Sequence, residues 1–276
     1  MALLEETIQG PEGSLYIRIW RPATPPRAIL AICHGFNSHS GYYGWVGEQC
    51  AGSGLSTYAL DLRGRGRSSG ERYYVESFDE YVADLAALVT FARARDGDLP
   101  LFVLGHSAGG VIACLYAMEH GRQLSGLICE DLAFEVPAPD IALALLKGLS
   151  YLAPHARSIA LKNADFSRDP AIVRSMDNDP LIEREAQPLA TAAAIVRADE
   201  KLKTSLSNIH SPLLVIHGTS DRAAKLSGSE HLYEGAASVD KMLNRYEDRF
   251  HDPLNDLGKE QVMADVLRWI AARINR

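Results

Sequence analysis

The chain has 276 residues, enough for one large α/β domain carrying an insertion. Apolar residues make up 47% and charged residues 23%, a composition that excludes disordered and fibrous chains and predicts a packed core. With 28 basic against 35 acidic residues the formal charge is −7, which removes any overall attraction for nucleic acid, so no nucleic-acid partner is expected.

Met1 to Gly10 carries Glu5 and Glu6 and lacks the basic-then-apolar layout of a secretory leader, so a cytoplasmic protein is the expectation. The first 33 residues read as strands. Leu15, Ile17 and Ile19 share one face, Tyr16, Arg18 and Trp20 the other, and Ala28 to Cys33 is a short apolar run that stops at His34-Gly35. A helix is expected between Gly44 and Gly54 and a buried strand over Leu55 to Leu60, followed by the polar, glycine-rich loop Asp61-Leu-Arg-Gly-Arg-Gly-Arg-Ser-Ser-Gly70. Tyr81, Leu85, Leu88, Val89 and Ala92 recur at helical spacing, which predicts a helix over Phe78 to Arg95. Leu101 to Leu104 reads as strand and Ala108 to Glu119 as helix, with Gly105-His106-Ser107-Ala108-Gly109 in the tight turn between them.

After a strand over Leu124 to Cys129, the strand-helix alternation stops for about 80 residues, longer than an ordinary loop. Within that insertion Ile141 to Ala153 is apolar nearly all round yet shorter than the ~20 residues a bilayer span needs. It predicts a helix of a cap that offers Ile141, Leu143, Leu145, Leu146, Leu149 and Leu152 toward the site. Alternation resumes with Pro212 to Ile216, Ser227 to Ala237, Met242 to Tyr246 and a closing helix over Asp256 to Ile274. Strands separated by helices imply a mostly parallel sheet covered on both faces. The four cysteines, Cys33, Cys50, Cys114 and Cys129, have no metal-ligand spacing and read as reduced, partly buried thiols.

Gly-x-Ser-x-Gly between a strand and a helix is the pattern of a nucleophile elbow, so Ser107 is the candidate nucleophile. Glycines two positions either side remove the Cβ atoms that a strained turn would bring into contact. A serine hydroxyl needs a histidine base, and the histidine a carboxylate, in the chain order Ser, acid, His. His251 lies between the last strand and the closing helix and is the candidate base; the alternative is a loop histidine bonded to Asp248, Asp252 or Asp256. His217, ending a strand, reads as a packed histidine. Asp221 follows the strand Pro212 to Ile216 through a short turn and is the preferred acid, with Asp131 or Glu130 as its rival. The oxyanion-hole amides would come from Ala108, after the nucleophile, and Phe36, in the turn after an early strand, although His-Gly there is also an ordinary turn.

The stretches His34-Gly-Phe-Asn-Ser-His-Ser-Gly-Tyr-Tyr43, Asp61 to Gly70, Gly105-His-Ser-Ala-Gly-Gly110, Arg168-Asp-Pro170, Asp179-Pro-Leu181 and His217-Gly-Thr-Ser-Asp221 together resemble the monoacylglycerol lipase and lysophospholipase-like branch of the α/β-hydrolases, a branch that also resembles the S33 serine aminopeptidases. The resemblance covers nearly the whole chain. It implies an α/β-hydrolase fold, a mostly parallel eight-stranded sheet with helices on both faces, its core formed by residues 1–133 and 209–276 and a helical cap by residues 134–208. It implies a triad of Ser107, Asp221 and His251, oxyanion donors at Phe36 and Ala108, and a serine esterase that needs neither metal nor organic cofactor. The implied partner is a small acyl ester, a monoacylglycerol, a lysophospholipid or a similar compound, and the apolar cap is compatible with transient contact with a membrane or lipid aggregate. Oligomeric state is not implied. Two departures stand out: Arg65 where relatives often carry histidine, and Cys129-Glu130-Asp131 where they carry small residues. The second is expected to make the pocket rim acidic and to disfavour a neutral monoglyceride. Alternative readings are an aminopeptidase or amidase, with Glu130 and Asp131 receiving an amine, and a ligand-binding protein that keeps the fold without turnover.

Overall fold

The computed structural model describes residues 1–135 and 139–274. The chain opens with an antiparallel hairpin, β1 (Ala2–Gly10) and β2 (Gly13–Arg21). There follow β3 (Ala28–Cys33), α1 (Gly44–Gly52), β4 (Leu55–Leu60), α2 (Phe78–Asp96), β5 (Leu101–His106), α3 (Ala108–His120) and β6 (Gly126–Glu130). A long excursion then holds α4 (Asp140–Leu152), β7 (Arg157–Ile159), α5 (Pro170–Asp177), β8 (Gln187–Pro188) and α6 (Leu189–Lys203). The chain returns through β9 (Leu213–Gly218), α7 (Leu226–Gly235), β10 (Lys241–Tyr246) and α8 (Lys259–Ala271).

Eight strands form one sheet in the order β1-β2-β4-β3-β5-β6-β9-β10, while β7 and β8 make a small antiparallel pair of their own. From β4 to β10 every neighbouring pair in the large sheet is parallel. Burial explains the composition of these strands. Every residue of β3, β4, β5, β6 and β9 is buried, as a sheet covered on both faces requires. In β3 the alternation sends Ile29, Ala31 and Cys33 into the core beneath α2, α3 and α6, and Ala28, Leu30 and Ile32 into the core beneath α1 and α8. Because these strands run parallel, their carboxyl ends lie at one edge, and the loops after β3, β4, β5, β6, β9 and β10 meet there.

Local signals set the helix ends. Ser77 caps α2 in a capping box with Glu80, satisfying two amides at the helix start. The closing helix starts at Lys259 rather than Asp256 because the Asp256 carboxylate is taken by the amides of Arg168, Phe250 and Leu257 and by the Arg168 guanidinium. A correction concerns α4. It packs on α6 through a half-buried stripe that includes Leu143 and Leu146, and it turns Ile141 (86% exposed), Leu145, Leu149 and Leu152 (83% exposed) to solvent instead of toward Ser107. Among the described residues, no helix is long and apolar enough to cross a membrane.

The glycine-rich loop is fixed by charge. Asp84 on α2, fully buried, accepts from Arg63 Nε at 2.9 Å and from its Nη2 at 2.7 Å, and also from the Arg63 amide at 3.2 Å. Arg63 Nη1 is shared between Glu12 and Glu80. Removing one partner of such a pair leaves an uncompensated buried charge. Asp84→Ala is expected to lower the unfolding free energy by about 3 kcal/mol, read by urea denaturation, with the loop after β4 becoming sensitive to protease.

Candidate active site

The turn that ends β5 is the tightest point of the fold. Ser107 has φ 54° and ψ −121°, a left-handed conformation that a non-glycine residue adopts only when its surroundings hold it there. A Cβ on Gly105 would overlap the Gly109 carbonyl, and one on Gly109 would overlap the carbonyls of Cys33 and His34. The Ser107 amide donates to the Glu130 carbonyl at 2.9 Å, tying the turn to the next strand. His106 points away, and burial lowers its pKa, so its neutral ring donates from Nε2 to the His251 carbonyl at 2.9 Å.

That last bond also fixes the backbone of His251. Its Nε2 lies 2.8 Å from Ser107 Oγ, and its Nδ1 lies 2.8 Å from Asp221 Oδ2. The loop aspartates are otherwise engaged: Asp252 accepts from the Asn255 side chain and Asp256 from Arg168. Asp221 Oδ1 accepts from the amides of Ala223 (2.7 Å) and Ala224 (3.0 Å), and its Oδ2 also lies 3.3 Å from His217 Nε2. Burial would raise this carboxyl, but the charge of His251, the His217 and His251 side chains beside it and the Ala224 amide outweigh it and hold Asp221 well below the usual carboxylate range. An ionised Asp221 can accept an Nδ1–H of His251, an arrangement that would leave Nε2 facing the Ser107 hydroxyl.

Glu130 and Asp131 do not reach His251 as hydrogen-bond partners, and the acidic-rim expectation is corrected. Both are fully buried. Glu130 Oε1 accepts from the Leu254 amide at 2.9 Å, and Asp131 Oδ1 accepts from the Gly218 amide at 3.0 Å. Backbone donors beneath the sheet edge capture both side chains, so neither faces a pocket where it could receive an amine. Although Asp131, Asp221 and His251 hold side-chain donor and acceptor atoms within 4.8 Å of one another, Asp221 and His251 are already committed to each other and to backbone amides. The cluster is a hydrogen-bond network rather than a cradle for a metal.

The loop after β3 comes against the elbow: a Cβ on Gly35 would stand 2.8 Å from Ser107 Cβ and 3.3 Å from the Ala108 nitrogen. His34 pins this turn, with Nδ1 donating to Gly35 O at 2.7 Å and Nε2 accepting from the Leu62 amide at 3.1 Å. Burial drops its pKa to about 3, so the ring is neutral. Ala108 opens α3, so its N–H has no carbonyl within the helix.

Phe36, next in the turn, is braced by residues that sequence reasoning missed. The Arg65 guanidinium sits 4.5 Å over the Phe36 ring, donates to Tyr81 Oη at 3.2 Å and to Gln187 Oε1 at 2.7 Å, and forms a fully buried ion pair with Glu185. Arg65 was visible as an unusual residue, but nothing local points to partners more than a hundred positions away. Phe166 was missed too: its ring meets that of His251 edge-on at 5.0 Å, and its carbonyl accepts from the Asp252 amide. Ser107 is 4% and His251 1% exposed, so the hydroxyl and its base are covered. The motifs Arg168-Asp-Pro170 and Asp179-Pro-Leu181 hold this cover. Arg168 pairs with Asp256, and Asp179 accepts from His39 (2.8 Å) and Tyr42 (2.9 Å).

Burial, and then the charge of Asp252, push the Glu130 carboxyl well above its usual range against the opposing Leu254 hydrogen bond. A carboxyl raised in the folded state binds its proton more tightly than in the unfolded chain. Its stabilising contribution is complete below the unfolded value near ~4.3 and is lost as pH rises through the folded value. The native protein should therefore lose more unfolding free energy than Glu130→Gln as pH is raised from the unfolded carboxyl range into the alkaline range, measured by urea denaturation at each pH.

A family model described as serine aminopeptidase, S33 matches residues 24–258. A monoacylglycerol lipase of Mycolicibacterium smegmatis is 34% identical over 93% of this chain and 92% of its own. A phospholipase of Bacillus subtilis is 28% identical over 88% of this chain and 94% of its own. The crystal structure of a monoacylglycerol lipase from Paleococcus ferrophilus superimposes with a TM-score of 0.83 at 25% identity, covering 94% of this chain and 99% of that one. With the sheet order, the elbow and these likenesses together, the chain belongs to the serine aminopeptidase S33 family of α/β-hydrolases, among the monoacylglycerol lipase-like carboxylic ester hydrolases.

Proposed function

We propose that the chain cleaves acyl esters of glycerol or a related small alcohol through an acyl-enzyme on Ser107. The observation that carries this reading is the continuous hydrogen-bonded line from Ser107 Oγ through His251 to Asp221, each link 2.8 Å long. His251 takes the hydroxyl proton as Ser107 Oγ bonds to the ester carbon, and Asp221 steadies the imidazolium. The carbonyl oxygen, now negative, is held by the N–H groups of Phe36 and Ala108 and by the start of α3. His251 returns the proton to the leaving alcohol. Water then enters by the same steps in reverse and releases the acid. Every protein group in this scheme, Ser107, His251, Asp221 and the amides of Phe36 and Ala108, lies on this one chain.

Residues 134–208 are read as the cap. Support comes from Phe166 lying against His251 and from Glu185 and Gln187 reaching down to Arg65. Substrate entry then requires this segment to move, since Ser107 is covered. The exposed stripe Ile141, Leu145, Leu149 and Leu152 on α4 gives the cap an apolar outer face suited to a lipid aggregate. An aminopeptidase reading loses its support, because Glu130 and Asp131, the carboxyls that would have met a free amine, are buried.

A fluorophosphonate probe should label Ser107, and Ser107→Ala should lower kcat on p-nitrophenyl esters by four orders of magnitude or more, on the order of other triad knockouts. An unlabelled Ser107, or turnover confined to aminoacyl anilides, rejects the proposal. For the outer face, the triple variant Ile141→Ser, Leu145→Ser, Leu152→Ser should lose activity on emulsified monoacylglycerol while keeping its rate on a soluble short-chain ester. Equal losses on both substrates would reject the lipid-facing role.

A further inference from the structure

Asp131 takes no part in the scheme above, yet its placement is unusual. In the sheet His106 is paired with Glu130, so Asp131 leaves the end of β6 as Ser107 leaves the end of β5. Its backbone is left-handed at φ 41°, a strained conformation for a residue with a side chain. Its amide donates to the Ile216 carbonyl at 2.9 Å, and its side chain turns under the end of β9, where Oδ1 accepts from the Gly218 amide. The charged and titratable groups around it are Asp221 in the loop after β9, His217 on β9, its own neighbour Glu130 on β6, and His251.

No donor reaches Asp131 Oδ2, which is buried. With Nδ1 paired to the Ser229 hydroxyl, the His217 ring turns Nε2 toward Asp221 at 3.3 Å rather than toward Asp131 at 3.7 Å. An ionised Asp131 would therefore have one backbone hydrogen bond, no cation of its own and a second carboxylate beside it. Two carboxyls so placed do not both ionise. Asp221, with two amides and two imidazoles around it, is the one that keeps the charge. A proton on Asp131 makes its carboxyl a donor near that charge, since the two side chains hold oxygens within 4.8 Å of one another.

We propose that Asp131 is a protonated positioning residue whose O–H donates to the Asp221 carboxylate, so that the acid of this site is a carboxyl pair holding one proton and one negative charge. The proposal rests on the reading of Ser107, His251 and Asp221 as a triad. Asp131 fixes Asp221 in the orientation that meets His251 and draws off part of its charge, keeping the Nδ1 proton on the imidazole during acyl transfer. Burial, then the charges of Asp221 and Glu130, push its carboxyl well above the usual range, consistent with this state.

The first test is a difference infrared spectrum of the native protein against Asp131→Asn at neutral pH. The native protein should show the carbonyl band of a protonated carboxylic acid that the variant lacks; loss of carboxylate bands instead overturns the proposal. The second compares Asp131→Ala, which removes the donor, with Asp131→Asn, which supplies an N–H in its place. Asp131→Ala should lower kcat about tenfold with little change in KM and should displace the acid limb of the kcat/KM profile, and Asp131→Asn should restore both toward native. Native kinetics in Asp131→Ala, or equal impairment of the two, overturns it. Should Asp131→Ala not fold, the spectrum of Asp131→Asn decides alone. The infrared result needs no turnover, whereas fluorophosphonate labelling of Ser107 tests the triad itself, so the two readings fail separately.

Discussion

The left-handed turn at Ser107 is the constraint around which this molecule is arranged. A serine at φ 54° is held only if the backbone on every side approaches closely, and the chain provides that approach with Gly105 and Gly109 against each other and against β3. The hydrogen bond from the Ser107 amide to Glu130 O then sets β6 beside it. The parallel register of β5, β6 and β9 carries the same alignment on to Asp221. Sheet geometry and site geometry are thus one requirement: the strand ends must coincide for the side chains beyond them to meet.

A second theme is the cost of charge near that edge. Asp84, Glu130, Asp131, Glu185 and Asp221 are all buried or nearly so, and their charge is handled in more than one way. Asp84 and Glu185 have arginines, Asp221 has amides and imidazoles, and Glu130 has one backbone donor and a raised pKa. A carboxyl without compensation keeps its proton, which is the cheaper way to bury it. Side-chain links also tie distant parts of the sequence together. Arg65 with Glu185, Arg168 with Asp256 and His39 with Asp179 fasten the excursion between β6 and β9 to the loops that hold Phe36 and His251.

Much of the architecture was legible because it repeats locally. Fully apolar runs such as Ile29 to Cys33 can only be strands buried on both faces, and the spacing of Tyr81, Leu85 and Leu88 can only bury one side of a helix. The N-terminal residues 2–10, which carry Glu5 and Glu6, belong to an edge strand that tolerates exposed charge. The face of α4 was misjudged for a related reason. A helix that is apolar all round does not declare which side it buries, and here the packing of α6 decided it.

By itself the sequence determined the strand order along the chain, the glycines that permit the elbow, and the residue types needed for proton transfer, because each depends on neighbours within a few positions. It preferred Asp221 to Asp131 as the acid from position along the chain, but it held nothing on the hydrogen-bond partners of either. Only the tertiary structure shows those partners, the amides of Ala223 and Ala224 on Asp221 and the single Gly218 amide on Asp131. The same holds for Arg65, whose partners lie in a distant part of the chain, and for Glu130, turned inward by Leu254. Burial and hydrogen bonding fix the charge state of a carboxyl, and both are properties of the folded surroundings rather than of the residue.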